Sequence, residues 1–427
     1  LLLELLVECN EIDKAGAASR LPEIAPTVLH KLALGYLRLN RPADASEVLT
    51  RAVQQSPDDH TLVFHLAIAQ KNAGQRQEAQ LSFARAAELK PSDPLSRANL
   101  GWLQLQNGLQ TEALQSMKEA ARVGALQPPL DEELRAVPNH RIHHDAEQFR
   151  YLMKTDSLSN EAQAYARKVI ELDDALPSTP GIVDLTLPGH AEIRAGWNRH
   201  HHLPDCPAHP EGALNPALDL HQIQTAYLAS SPEMVIVDDL LRPGALTALQ
   251  RYCREATIWK QTYESGYVGA FMRSGLATAL VLQIAEELRE ALPQIIGAHR
   301  LEQCWSFKCD GRLDAVSLHA DVAAVNVNLW ISTEDGNEDP DSGGLRVWDV
   351  ESPSDWVFSD YNANQPKARE FLRSSNAKPI AVAHRSNRAL IFNSTLFHES
   401  DRIQFRPDYE NRRINITLLY GIRLLES

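Results

Sequence analysis

Residues 32–57 read LALGYLRLNRPADASEVLTRAVQQSP, residues 66–91 read LAIAQKNAGQRQEAQLSFARAAELKP, and residues 100–125 read LGWLQLQNGLQTEALQSMKEAARVGA. Set beneath one another, they keep register at a period of 34. Ala45, Ala79 and Ala113 share one column, and Ala52, Ala86 and Ala120 another. Leu32, Leu66 and Leu100 share a third, and Ala33, Ala67 and Gly101 a fourth. Gly74 pairs with Gly108, and Pro57 with Pro91. Small residues at fixed places let two helices cross closely. Leu32, Leu66 and Leu100, with Leu49, Phe83 and Met117, fill the seam, and the proline ends each unit. One such helix pair cannot bury its apolar face alone, so the units must stack.

This period, with small residues at the crossings, resembles the tetratricopeptide repeat (TPR). Residues 27–122 read as three units, and residues 1–13 as the remnant of an earlier one. The resemblance implies a concave surface that holds a peptide or protein, with a structural or dimerising spacer as the alternative. At 427 residues the chain has room for one or two further domains, and a 44% hydrophobic fraction supplies them with a core. The formal net charge of −14 argues against nucleic acid as the main partner, because a phosphate backbone calls for clustered Lys and Arg. No apolar run reaches the roughly 18 residues of a membrane span. The expected setting is the cytoplasm. The sequence opens without Met, so the native N-terminus, with any targeting segment, is expected upstream of Leu1. The five scattered cysteines read as reduced thiols rather than a disulfide framework.

Pro128-Pro129 and the acidic residues after them mark a boundary. The expected domains are 1–125 for the repeats, 126–225 for a helical and Pro/His-rich connecting segment, and 226–427 for the part that carries chemistry. Residues 143–153 and 160–172 have helical spacing, and 182–220 reads as a linker or docked arm. That arm holds His200, His201, His202, Cys206 and His209. These are zinc-binding residue types, but their spacing matches no closed zinc site, and a solvated His-rich loop is expected. His143, His144 and Asp145 diverge by about 100° per residue around a helix and should not converge on an ion.

From Met234 the pattern changes. A short apolar run at 234–237 is followed by helical spacing over 245–258 and 277–292. Short β-type runs then follow at 305–308, 325–332, 344–350, 389–392 and 413–420. Helices followed by many short strands predict a small β-barrel braced by helices. Among the strands lies Ser317-Leu318-His319-Ala320-Asp321, and strand residues two apart face the same side. His398, after the run 389–392, stands where a third ligand is expected. Two imidazoles and one carboxylate on one face of an ion leave its other positions open, which suits Fe(II). Arg413, Asn415 and Thr417 share the polar face of the last run. Arg can take a carboxylate through two parallel hydrogen bonds, and Asn415 is placed to add another. Arg412 points to the opposite face, and Arg402 and Arg406 fall in a loop. Tyr263, Asn326, Asn328 and Trp330 are expected to line the pocket, although amides at 326 and 328 could equally pair within the barrel.

His319-x-Asp321, Asp341-Ser342-Gly343-Gly344-Leu345-Arg346-Val347-Trp348, His398 and Arg413, in that order, resemble the Fe(II)- and 2-oxoglutarate-dependent oxygenase superfamily. The last 190 or so residues look like its prolyl-hydroxylase-like branch, found fused to TPR repeats in bacterial proteins. The resemblance implies an α+β multidomain chain, with an all-α TPR solenoid followed by a double-stranded β-helix (jelly-roll) braced by helices. It implies Fe(II) on His319, Asp321 and His398, 2-oxoglutarate with its distal carboxylate on Arg413, and O2 as oxidant. The expected substrate is a peptide or protein side chain recruited through the repeats. The alternatives are hydroxylation of a small metabolite, or a non-catalytic scaffold whose oxygenase-like domain only binds. Asp321 and His398 are 77 residues apart, longer than the family's habit, so an insertion is expected over 353–378.

Overall fold

The computed structural model describes residues 24–311 and 316–422, together with Ile12. The expected remnant repeat at 1–13, Ile12 apart, and Cys9 within it lie outside the described residues. Six helices form three antiparallel pairs: α1 (Pro26–Arg38) with α2 (Pro42–Gln55), α3 (His60–Asn72) with α4 (Arg76–Leu89), and α5 (Pro94–Gln106) with α6 (Gln110–Gly124). All six alanines of the two alanine columns are fully buried. With nothing beyond Cβ there, neighbouring helices close up. The turn inside each pair repeats too, for Asn40, Gly74 and Gly108 have φ of 55°, 77° and 77°. Glycine adopts that left-handed conformation freely, and Asn is among the few other residues to visit it routinely. Asn40 is therefore the third member of a column in which the sequence shows glycine only twice. Asp59 and Asp93 cap α3 and α5, accepting from the N–H groups of Thr61 and Ser96 at 2.8 Å each.

This first compact unit ends at Gly124, and a second runs from Ala125. Early in the second unit, after a short helix Asp131–Arg135, lie helices Asn139–Lys154 and Asn160–Ala175 and a two-stranded pairing of β1 (Val137–Pro138) with β2 (Ile182–Val183). The arm beyond is docked: Val183, Leu185, Ile193 and Trp197 complete the core those two helices begin. The later strands are β3 (Met234–Val237), β4 (Gln261–Thr262), β5 (Tyr267–Phe271), β6 (Leu301–Cys309), β7 (Val325–Trp330), β8 (Leu345–Glu351), β9 (Pro379–Val382), β10 (Arg388–Asn393), β11 (Leu396–Ser400) and β12 (Arg413–Tyr420).

They form a seven-stranded sheet, in the order β3-β10-β7-β12-β6-β5-β4, and a three-stranded one, β11-β8-β9. Every pairing is antiparallel. The sheets share a core in which Trp330, Leu390 and Phe392 of the larger meet Leu345, Val347, Val382 and Leu396 of the smaller. Helices Pro243–Glu255 and Ala279–Ala291 brace the larger sheet. Gln250 Nε2 donates to the Ile331 carbonyl at 2.7 Å, and the Tyr420 hydroxyl donates to the Ala285 carbonyl at 2.9 Å. Among the described residues no helix is long and apolar enough to cross a membrane. Cys206, Cys253, Cys304 and Cys309 form no disulfide.

Candidate metal centre

His319 does not sit in a regular strand, as the spacing predicts, but in an irregular stretch joined to β11 by a single bridge. There His319 and His398 exchange backbone hydrogen bonds, at 2.9 Å from His319 N to His398 O and 2.8 Å in return. The reciprocal pair brings the two imidazoles together, with ring centroids 4.3 Å apart. The Asp321 N–H donates to the Ser394 carbonyl at 3.1 Å and fixes the third residue. Each imidazole turns its Nδ1 to a carbonyl two residues back, His319 to Ser317 at 2.8 Å and His398 to Leu396 at 3.0 Å. A carbonyl only accepts, so Nδ1 carries the proton and Nε2 is left as a lone pair. The two Nε2 atoms stand 3.8 and 3.5 Å from the Asp321 carboxylate oxygens. All three ligand atoms lie within 4.8 Å of one another, and no other group of His, Cys, Asp and Glu among the described residues could hold a metal.

Burial, and then the neighbouring His398 ring, push His319 down to about 4. Burial alone would raise Asp321, but His398, His319 and an N–H from Asn326 at 2.9 Å outweigh it, and the carboxyl lies below its ordinary value. At neutral pH His319 is a neutral imidazole and Asp321 a carboxylate. These are the protonation states a divalent cation needs.

Arg413, at the start of β12, is 1% exposed. Its Nε donates to the Gly343 carbonyl at 2.6 Å, and its two NH2 groups donate to the Gly344 carbonyl at 3.2 Å and Asn415 Oδ1 at 3.1 Å. No ion pair among the described residues includes it. Burial lowers its pKa from the ordinary value, outweighing the opposite pull of Cys309 and of the Asp401 carboxylate. The Gly-Gly step is obligatory. Gly343 has φ of 83°, and a Cβ on Gly344 would stand 1.9 Å from the Val382 carbonyl.

One cavity is lined by His319, Asp321 and His398, by Arg413, Asn415 and Thr417, and by Asn326 and Asn328. The Oδ1 atoms of Asn326 and Asn328 have no partner there. A second cavity, of about 310 Å³, shares His319 and Asp321 with the first and is walled by Tyr263, Tyr267, Phe271, Trp305, Phe307 and Phe358. Tyr263, Asn326 and Asn328 thus line the site as the sequence reading expects. Trp330 does not: it lines neither cavity, because the smaller sheet packs over it within the shared core. Sequence reasoning passes over Trp305 and Phe307. Their signal is the alternation Trp305-Ser306-Phe307-Lys308, which puts both rings on one face of β6.

The arm's histidines do not converge. His200 Nε2 meets the Ser274 carbonyl at 3.0 Å, while His201 meets the Gly196 carbonyl at 2.9 Å and stacks on Tyr165. They are docked rather than solvated. His143 pairs with Asp173, and His144 with Asp145.

Residues 30–70 and 64–128 match the family model for the tetratricopeptide repeat, and the N-terminal part of the chain carries such repeats. No curated protein matches the chain. Among solved structures it is similar to YrrB, titled a TPR protein with an unusual peptide-binding site, at 21% identity and a TM-score of 0.26, over 28% of this chain and 64% of that one. It is also similar to a mutant form of MamA, at 25% identity and a TM-score of 0.25, over 26% of this chain and 60% of that one. A third similarity is to MamA from Desulfovibrio magneticus RS-1, at 16% identity and a TM-score of 0.26, over 29% and 72% of the two chains. The chain thus spans less than two thirds of the length of YrrB and of the MamA mutant.

Proposed function

We propose that the second unit is an Fe(II)- and 2-oxoglutarate-dependent dioxygenase with a double-stranded β-helix fold, hydroxylating a peptide or protein side chain recruited by the repeats. One observation carries the reading. A single cavity holds two imidazoles and a carboxylate with convergent ligand atoms, together with a buried guanidinium that has no carboxylate of its own. His319, Asp321 and His398 would hold the ion. Fe(II) there supplies the oxidising chemistry, consuming O2 and 2-oxoglutarate, releasing succinate and CO2, and hydroxylating the substrate.

The chain's own residues have separate duties. Arg413 and Asn415 bind the distal carboxylate, where a low dielectric makes the attraction stronger than in water. Asn326, donating to one oxygen of Asp321, fixes the rotation of that carboxylate. The aromatic wall of the outer cavity keeps water from the reacting atoms and leaves room for a side chain.

Calorimetric titration of metal-free chain with Mn(II), and then with 2-oxoglutarate, tests the reading. Micromolar 2-oxoglutarate binding that requires the metal and is lost in His319→Ala supports it. A folded chain that binds no metal overturns it, leaving a repeat protein whose sheet unit only binds a partner.

A further inference from the structure

The expected insertion folds as helices Phe358–Asn362 and Gln365–Ser374. It meets the ligand segment at three successive points. The Ala320 N–H donates to the Tyr361 carbonyl at 3.1 Å. Asn362 Nδ2 donates to the Ala320 carbonyl at 3.3 Å, and Gln365 Nε2 donates to the Leu318 carbonyl. Leu318 and Ala320 flank His319, whose own N–H and carbonyl face β11. Backbone groups of neighbouring residues in an extended chain point to opposite edges. The segment is therefore bonded on one edge to β11 through His319, and on the other to the insertion through Leu318 and Ala320. It lies between two partners, as an inner strand of a sheet does.

Packing reinforces the arrangement. Leu318 and Ala320 are fully buried in a cluster with Tyr361, Ala368 and Leu372 of the insertion. Two of the three hydrogen bonds come from side chains, so the sequence of the insertion, and not merely its presence, determines where His319 and Asp321 stand. Asn362 also lines the outer cavity, beside Phe358 from the same insertion.

We infer that Asn362 and Gln365 are positioning residues for the metal, holding the His319–Asp321 segment through the edge opposite β11. The inference rests on the metal-site reading above. Its test compares Mn(II) affinity by calorimetry, the electron paramagnetic resonance spectrum of bound Mn(II), and melting temperature in four proteins: wild type, His319→Ala, Gln365→Glu, and Asn362→Ala with Gln365→Glu. Gln365→Glu keeps the side-chain volume and removes the amide donor.

The double variant should bind Mn(II) about tenfold more weakly or worse, as lost outer-shell support commonly costs. Its spectrum should broaden while its metal-free melting temperature stays near wild type, since both side chains are only partly buried. Gln365→Glu alone should show a smaller loss of the same kind, and decides the matter if the double variant does not fold. Wild-type affinity and spectrum in a folded variant would overturn the inference, whatever its melting temperature. Wild type that binds Mn(II) no better than His319→Ala would instead overturn the metal site itself.

Discussion

Replacing Arg413 by Met keeps most of the volume and removes the only cation lining the inner cavity among the described residues. Truncating one partner of a buried, hydrogen-bonded charge pair costs about 2–5 kcal/mol of binding. Taking about 3 kcal/mol, and 1.4 kcal/mol per tenfold, 2-oxoglutarate should bind about 150-fold more weakly. Mn(II) affinity should not change, since Arg413 shares no hydrogen bond with His319, Asp321 or His398. Stability without ligand should also change little. The Gly343 carbonyl and Asn415 Oδ1 would each lose a bond, at about 1–3 kcal/mol apiece. The Gly344 carbonyl would still accept from the Asp401 N–H at 3.1 Å. Against these losses stands the removal of a buried cation held in no ion pair, a relief of several kcal/mol. Calorimetry on Mn(II)-loaded protein and thermal shift with and without 2-oxoglutarate measure both halves. A Met variant that binds 2-oxoglutarate within about threefold of wild type would refute the assignment of the cation.

His398→Ala removes one of the two proposed imidazole ligands and should abolish Mn(II) binding in calorimetry without unfolding the chain; retained binding would place the ion elsewhere. Ala86→Leu forces a larger side chain into a crossing with no free space and should cost about 1–3 kcal/mol, read as an earlier loss of helical signal on heating. An unchanged melt would mean that the helices can part at no cost. Burial holds His144 down to about 3 and His200 to about 3, so both stay neutral in the fold but accept protons once unfolded, at the ordinary value of 6.5. Stability is then fully present above that value and falls as pH drops below it. For the fully buried His144 the loss is about 2 kcal/mol by roughly pH 5. Thermal melts across that range check the sign, and His144→Gln should flatten the slope.

The repeats are legible because a 34-residue period constrains many columns at once, and the buried alanines are its physical content. Asn40 escapes, since its shared conformation is invisible without φ. β3 and β12 fall at the residues the patterns predict, one a four-residue apolar run and the other alternating over 413–418. The β4–β5 hairpin is missed because Gln261–Thr262 is too short to show alternation. Helix Gln365–Ser374 is missed although Ala368, Phe371 and Leu372 keep helical spacing, because three apolar positions among charged neighbours also read as an exposed insertion. At the site, the order of His319, Asp321, His398 and Arg413 can be read, because side-chain chemistry is written in residue type. The carbonyl cradle under Arg413 cannot, because backbone oxygens carry no letter. Trp330 misleads for a related reason. Alternation assigns it the inner face, but how deep along that face the open space reaches depends on Leu345 and Val347 from the other sheet.

The Gly343-Gly344 cradle also sets a length. The guanidinium is tied by two N–H groups to main-chain carbonyls, and the imidazoles at the other side of the cavity are tied to main-chain carbonyls as well. Neither anchor has side-chain slack with which to follow a ligand. Under the proposed reading the cavity is a fixed gauge for a diacid. A homologue shorter or longer by one methylene can satisfy the cation or the metal ligands, but not both together.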